Sequence, residues 1–136
     1  GMFVTFAAGW LNPNNNQLCI INAGHLPLLI VGEKSAQQLL AQGPPLGVSP
    51  GLKFPAENVL FDCQRLYLYS DGFIECKTST GEELGIKGFL SWVVQSKHLD
   101  LDEQLSWIEQ QFQDQAEAQL DDLTLMIIAA KNSVFG

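Results

Sequence analysis

Turn-forming clusters cut the first 70 residues at intervals too short for helices, and this spacing constrains the fold more than any other feature. Asn12-Pro13-Asn14-Asn15-Asn16, Gly32-Glu33-Lys34-Ser35, Gly43-Pro44-Pro45-Leu46-Gly47 and Asp62-Cys63-Gln64 each interrupt an apolar stretch. Asparagine and glycine take up tight-turn angles at little cost, while proline fixes φ and removes an amide donor. The intervening runs 2–11, 17–23, 26–31, 37–41, 54–61 and 65–69 have strand length. In the first of them Met2, Val4, Phe6, Ala8 and Trp10 alternate with period two, which makes one strand face apolar. After Ser70-Asp71-Gly72 the period changes: Ile86, Phe89, Leu90 and Val93 recur at helical spacing. A second helix opens at Asp100-Leu101-Asp102-Glu103, a capping box with aspartate as the cap, and its inner face is expected at Leu101, Leu105, Ile108 and Phe112. Residues 123–130 are apolar on both faces, as suits a central strand of a covered sheet. The pattern predicts an α+β fold, with a largely antiparallel sheet, two late helices and a returning central strand.

The composition narrows the functional classes. With 136 residues, 46% hydrophobic and 16% charged, the chain is expected to bury a core rather than stay disordered. No apolar run approaches the ~18 residues that span a bilayer, and no basic segment precedes an apolar one at the start, so a cytoplasmic protein without a membrane partner is expected. A net charge of −8 repels polyanions and argues against general nucleic-acid binding. Cys19, Cys63 and Cys76 are odd in number and lack CxxC spacing, which disfavours a disulfide framework and a zinc ribbon. Gly1-Met2 reads as a tag remnant ahead of a start methionine, so Gly1 carries no functional weight.

Two acidic positions stand out. Asp71 ends a strand in a glycine-containing turn, and Asp121-Asp122 immediately precede the last strand. If that strand pairs antiparallel with residues 65–69, the aspartates converge at one edge of the sheet. Clustered carboxylates repel one another unless a cation holds them, and hard oxygen ligands suit Mg²⁺ or Mn²⁺ rather than zinc. The same residues equally suit an ordinary turn and a solvated strand end, and spacing alone leaves both open. His25, following a glycine, fits a loop-positioning part better than a catalytic one, and His98 lies in the connection between the helices.

Four ordered motifs add a resemblance. Asn22-Ala23-Gly24-His25, Pro45-Leu46-Gly47, the run from Leu66 to Glu75 containing Ser70-Asp71-Gly72, and Asp121-Asp122-Leu123-Thr124-Leu125 together resemble bacterial phosphatases of the stage II sporulation protein E type. These form the bacterial branch of the protein phosphatase 2C-like family. The resemblance implies a β-sandwich of antiparallel sheets flanked by helices, with a binuclear Mn²⁺ or Mg²⁺ centre that activates water against a phosphoserine or phosphothreonine protein, such as an anti-anti-sigma factor. It makes Asp71 a metal ligand, with Gly72 beside it as a further candidate. Asp121 aligns best with the last ligand, and Asp122 is the alternative or a partner to it. Asn22, Gly24, His25 and Gly47 are expected to line the site or brace it. The family's first metal motif, Asp-x-x-Gly-His-Gly, has no counterpart here. The expectation is therefore a single, N-terminally truncated phosphatase domain over residues 1–136, with little activity alone and a tendency to dimerise through uncovered surface. A non-catalytic phosphatase-like binding module is the alternative.

Overall fold

The computed structural model describes residues 1–115, 122–131 and 133. In chain order the elements are β1 (Phe6–Asn12), β2 (Gln17–Ala23), β3 (Leu28–Gly32), β4 (Ala36–Leu39), β5 (Glu57–Leu60), β6 (Gln64–Tyr69), α1 (Gly72–Glu75), α2 (Gly85–Ser96), α3 (Leu101–Gln115) and β7 (Leu125–Ala129). The strands form two sheets, ordered β1-β2-β5 and β4-β3-β6-β7, and the fold class is α+β, as the sequence pattern predicts. The chain divides into two compact units: Gly1–Pro27 with Gln38–Asp62, and Leu28–Gln37 with Cys63–Gly136.

In the first unit, β1 and β2 make an antiparallel hairpin with Phe6 opposite Ala23 and Asn12 opposite Gln17. The asparagine cluster closes it. The Asn12 and Asn15 side chains accept hydrogen bonds from the amides of Asn14 and Gln17 (3.0 and 3.1 Å), and Asn16 takes a left-handed φ of 54°. On β2, Leu18, Ile20 and Asn22 alternate into buried positions. The period-two apolar face expected ahead of it is present but open to solvent: Met2, Val4, Phe6 and Trp10 are all exposed, Trp10 by 74%. Regular pairing starts at Phe6, and Val4 makes only an isolated bridge with Leu46.

In the second unit, every residue of β3 is buried, and β6 pairs antiparallel with both β3 and β7. Aromatic residues join this sheet to the helices. Tyr69 meets Phe89 of α2 at 4.7 Å between ring centroids, and Phe73 of α1 meets Phe89 at 5.1 Å and Phe112 of α3 at 6.0 Å. The capping box at the start of α3 is formed: the Glu103 amide donates to Asp100 Oδ1 at 2.8 Å, and the Asp100 amide donates to Glu103 Oε2 at 3.4 Å. Lys97, just past α2, donates from Nζ to the carbonyls of Gly32 and Glu33 and fastens the helix end to the turn after β3.

The structure corrects three expectations. The last strand is an edge rather than a central strand among the described residues, with Leu125, Ile127 and Ala129 half-buried and Met126 and Ile128 exposed. A third helix, α1, replaces the turn read after Asp71. The buried face of α3 is rotated: Leu101 and Leu105 are exposed, while Gln104, Ile108 and Phe112 are buried. Gln104 goes inside because the unit supplies it with polar partners. Its Oε1 accepts from Arg65 Nη1 (2.6 Å) and from the Tyr67 hydroxyl (3.1 Å), and its Nε2 donates to Ser96 Oγ (3.1 Å) and the Val93 carbonyl (3.3 Å). A buried amide satisfied on both ends carries little of the penalty that usually keeps glutamine outside. Burial raises the pKa of Tyr67, and the hydrogen bond to Gln104 and the Arg65 charge work against that rise.

Candidate metal site

The end of β6 leads into an exposed aspartate, Asp71. Tyr69 pairs with Leu125, and beyond that pair the strand turns away. The Ser70 carbonyl accepts the Phe73 amide at 3.3 Å, and the Asp71 carbonyl accepts the amides of Ile74 and Glu75 at 2.8 and 2.9 Å, which together start α1. Phe73 is buried within the aromatic cluster and Gly72 is buried at the turn, so the backbone under Asp71 is anchored. The Asp71 side chain makes no capping hydrogen bond, and the residue is exposed.

Ser70 also ties the opposite chain segment to this turn. Its amide donates to the Thr124 carbonyl at 2.9 Å, its hydroxyl accepts from the Thr124 amide at 2.9 Å, and the same hydroxyl donates to the Asp122 carbonyl at 3.0 Å. The antiparallel ladder thus runs one step past Tyr69, and Asp122 enters β7 beside the turn that holds Asp71. The β6–β7 pairing thus brings the segment of Asp122 to the turn of Asp71; the expected convergence of Asp71 with Asp121 falls partly outside the described residues. Asp121 lies outside the described residues. Phe73, Leu123 and Leu125 help line an adjoining apolar cleft of about 250 Å³.

The donor chemistry here is all oxygen, the kind that hard divalent cations take. Asp71 and Asp122 supply two carboxylate residues from adjacent strand ends. Among the described residues no group of three or more His, Cys, Asp or Glu could hold a metal ion. The described set is two carboxylate residues, oxygen donors of the kind that Mg²⁺ or Mn²⁺ takes.

The remaining candidates belong to the first unit, where they brace one another. The buried Asn22 side chain donates to the Leu26 carbonyl at 3.1 Å and accepts from the His25 amide at 2.9 Å, folding residues 22–26 into a closed loop. Gly24 has φ +66°, and a Cβ there would lie 2.5 Å from the Pro45 ring, so only glycine fits. The Asn22 carbonyl accepts the Gln42 amide, and Ala23 bridges to Gly43. Gly47, at φ +93°, passes so close to Met2 that a Cβ would lie 2.9 Å from the Met2 carbonyl oxygen. Asn22, Gly24 and Gly47 thus hold loops in shape, and His25 takes part through its backbone amide. The sequence alone assigns Ser70 no role. A hydroxyl between a strand end and an Asp-Gly pair was the available signal.

Comparison with known proteins agrees with this architecture. The model of the family described as stage II sporulation protein E (SpoIIE) matches residues 1–131. Protein IcfG of Synechocystis sp. is 30% identical over 86 residues, 62% of this chain and 14% of that protein. The SiaA-PP2C domain of Pseudomonas aeruginosa superposes with a TM-score of 0.77 at 21% identity, covering 92% of this chain and 51% of that one. The RsbU and RsbW domains of Rv1364c from Mycobacterium tuberculosis give 0.69 at 22% identity, covering 90% and 35%. The phosphatase domain of SpoIIE from Bacillus subtilis gives 0.62 at 15% identity, covering 93% and 56%. The chain spans about half the length of the SiaA-PP2C and SpoIIE chains and a small part of IcfG. At these identities the solved structures show a shared fold.

Proposed function

Because the chain belongs to the stage II sporulation protein E (SpoIIE) family, we propose that it forms part of a single metal-dependent protein serine/threonine phosphatase domain, with residues 71 and 121–122 at its metal site. The supporting observation is the Ser70 bracket, which sets Asp122 beside the turn carrying Asp71 on neighbouring strand ends. In this reading Asp71 and Asp121 hold Mn²⁺ or Mg²⁺, and Asp122 is the alternative ligand or a partner to it. When bound, such a cation lowers the pKa of water and neutralises phosphoryl charge. The chain's own contribution is to hold carboxylates at a fixed, exposed sheet edge on an anchored turn. The substrate is a phosphoserine or phosphothreonine protein in a cytoplasmic signalling pathway. An anti-anti-sigma factor is the proposed example. Among the described residues no helix is long and apolar enough to cross a membrane.

The 136 residues contain no Asp-x-x-Gly-His-Gly segment, so the chain by itself is proposed to turn over little or no phosphoprotein. This also leaves room for a second reading, a phosphatase-like module that holds a phosphoprotein or regulator without hydrolysing it. The test is a phosphoserine-peptide assay with Mn²⁺, paired with a Mn²⁺ titration. We expect weak Mn²⁺ binding that disappears in Asp71→Asn, with no turnover. Turnover that is lost in Asp71→Asn would show that the chain is active alone, and absence of binding at millimolar Mn²⁺ would remove the metal site.

A further inference from the structure

We propose that Ser70 is a positioning residue for the acidic site, its hydroxyl fixing the segment that carries Asp122 against the turn that carries Asp71. This rests on the metal-site reading above and adds to it a residue that does not touch the cation. In a regular antiparallel pair a main-chain carbonyl would accept the Thr124 amide. Here the Ser70 carbonyl is turned into the first turn of α1, where it accepts the Phe73 amide at 3.3 Å. The hydroxyl takes over as acceptor for Thr124 at 2.9 Å and spends its one proton on the Asp122 carbonyl at 3.0 Å. One side chain therefore does two things: it lets the backbone leave the ladder to build the Asp71 turn, and it keeps the ladder closed for residues 122–124. Alanine would leave the Thr124 amide without its acceptor and the Asp122 carbonyl without its donor. Threonine keeps the hydroxyl and suits a strand end. Cysteine keeps the size but hydrogen-bonds weakly.

The experiment is Mn²⁺ titration of the full chain, read from the electron paramagnetic resonance signal of free Mn²⁺, together with amide hydrogen exchange of the metal-free protein. For Ser70→Ala and Ser70→Cys we expect Mn²⁺ affinity to fall by about 10–100-fold, the range for residues that orient metal ligands. The Thr124 amide should lose protection while the Leu66 and Tyr67 amides keep theirs, and Ser70→Thr should restore both properties. Affinity unchanged in Ser70→Ala and Ser70→Cys, with the wild type binding, would overturn the inference and leave the metal site standing. A wild type that binds no Mn²⁺ would overturn the metal site itself, and the positioning role with it. Should Ser70→Ala fail to fold, the comparison of Ser70→Cys with Ser70→Thr decides alone.

Discussion

Tyr69 carries its hydroxyl into a buried position with no hydrogen-bond partner among the described residues, although its ring packs well on Phe89. Burial pushes its pKa up to about 12 from the ordinary tyrosine value of 10.0. The folded state thus holds this proton more tightly than the unfolded chain does. The associated stability is fully present below pH 10, the unfolded value, and is lost as pH rises through about 12. Tyr69→Phe should flatten this alkaline loss. At neutral pH it should leave stability unchanged or raise it by about 1 kcal/mol, because a buried polar group without a partner is removed. Urea denaturation of both proteins at pH 7 and across the alkaline window would measure this. Residue-scale chemistry was unevenly legible. An Asp-Gly pair at a strand end is visible in the sequence, and so Asp71 stands out there, but the work of a hydroxyl such as that of Ser70 depends on which strand lies opposite.

Gln104 connects three elements. It accepts from Arg65 and Tyr67 on β6, and it donates to Ser96 and the Val93 carbonyl on α2 from its own place on α3. The Arg65 guanidinium extends the link by donating from Nη2 to the Leu99 carbonyl at 2.8 Å. Gln104→Ala removes the acceptor shared by two buried donors and should cost about 2–4 kcal/mol in a chemical denaturation experiment, with the far-ultraviolet circular dichroism of the native state retained. A loss well under 1 kcal/mol would mean that water takes over the acceptor role. The helical period located α2 and α3, but hydrophobicity alone could not find the inner face of α3, because its most buried position is polar. The four-residue α1 is too short to show any period. For β7 the two-sided apolar pattern suggests central burial, whereas among the described residues the strand stands at an edge with Met126 and Ile128 exposed.

For the whole molecule, the antiparallel class and the late helices followed from turn spacing and a change of period, both of which are local properties. Pairing partners and edges depend on distant parts of the chain, and there sequence pattern says less. Met2, Phe3, Val4, Phe6 and Trp10 expose apolar surface in the first unit, and Met126 and Ile128 do so in the second. Such surface favours self-association, while the net charge of −8 opposes it at low ionic strength. Light scattering should show the average mass rising with protein concentration and rising further with added salt, which screens the repulsion. Trp10→Lys should weaken this association; a constant monomer mass across the series would argue that these patches do not meet.

Neither compact unit is continuous in sequence, because Leu28–Gln37 is threaded into the middle of the first. During synthesis the first unit has to wait for its last residues, up to Asp62, before it can close. By then the wholly apolar β3 and its neighbour β4 have emerged, while β6, its partner on the other side, has not. The nascent chain can pair β3 with β4 but carries its other, hydrophobic edge open until β6 emerges. Burden on chaperones and losses to aggregation would fall in that interval.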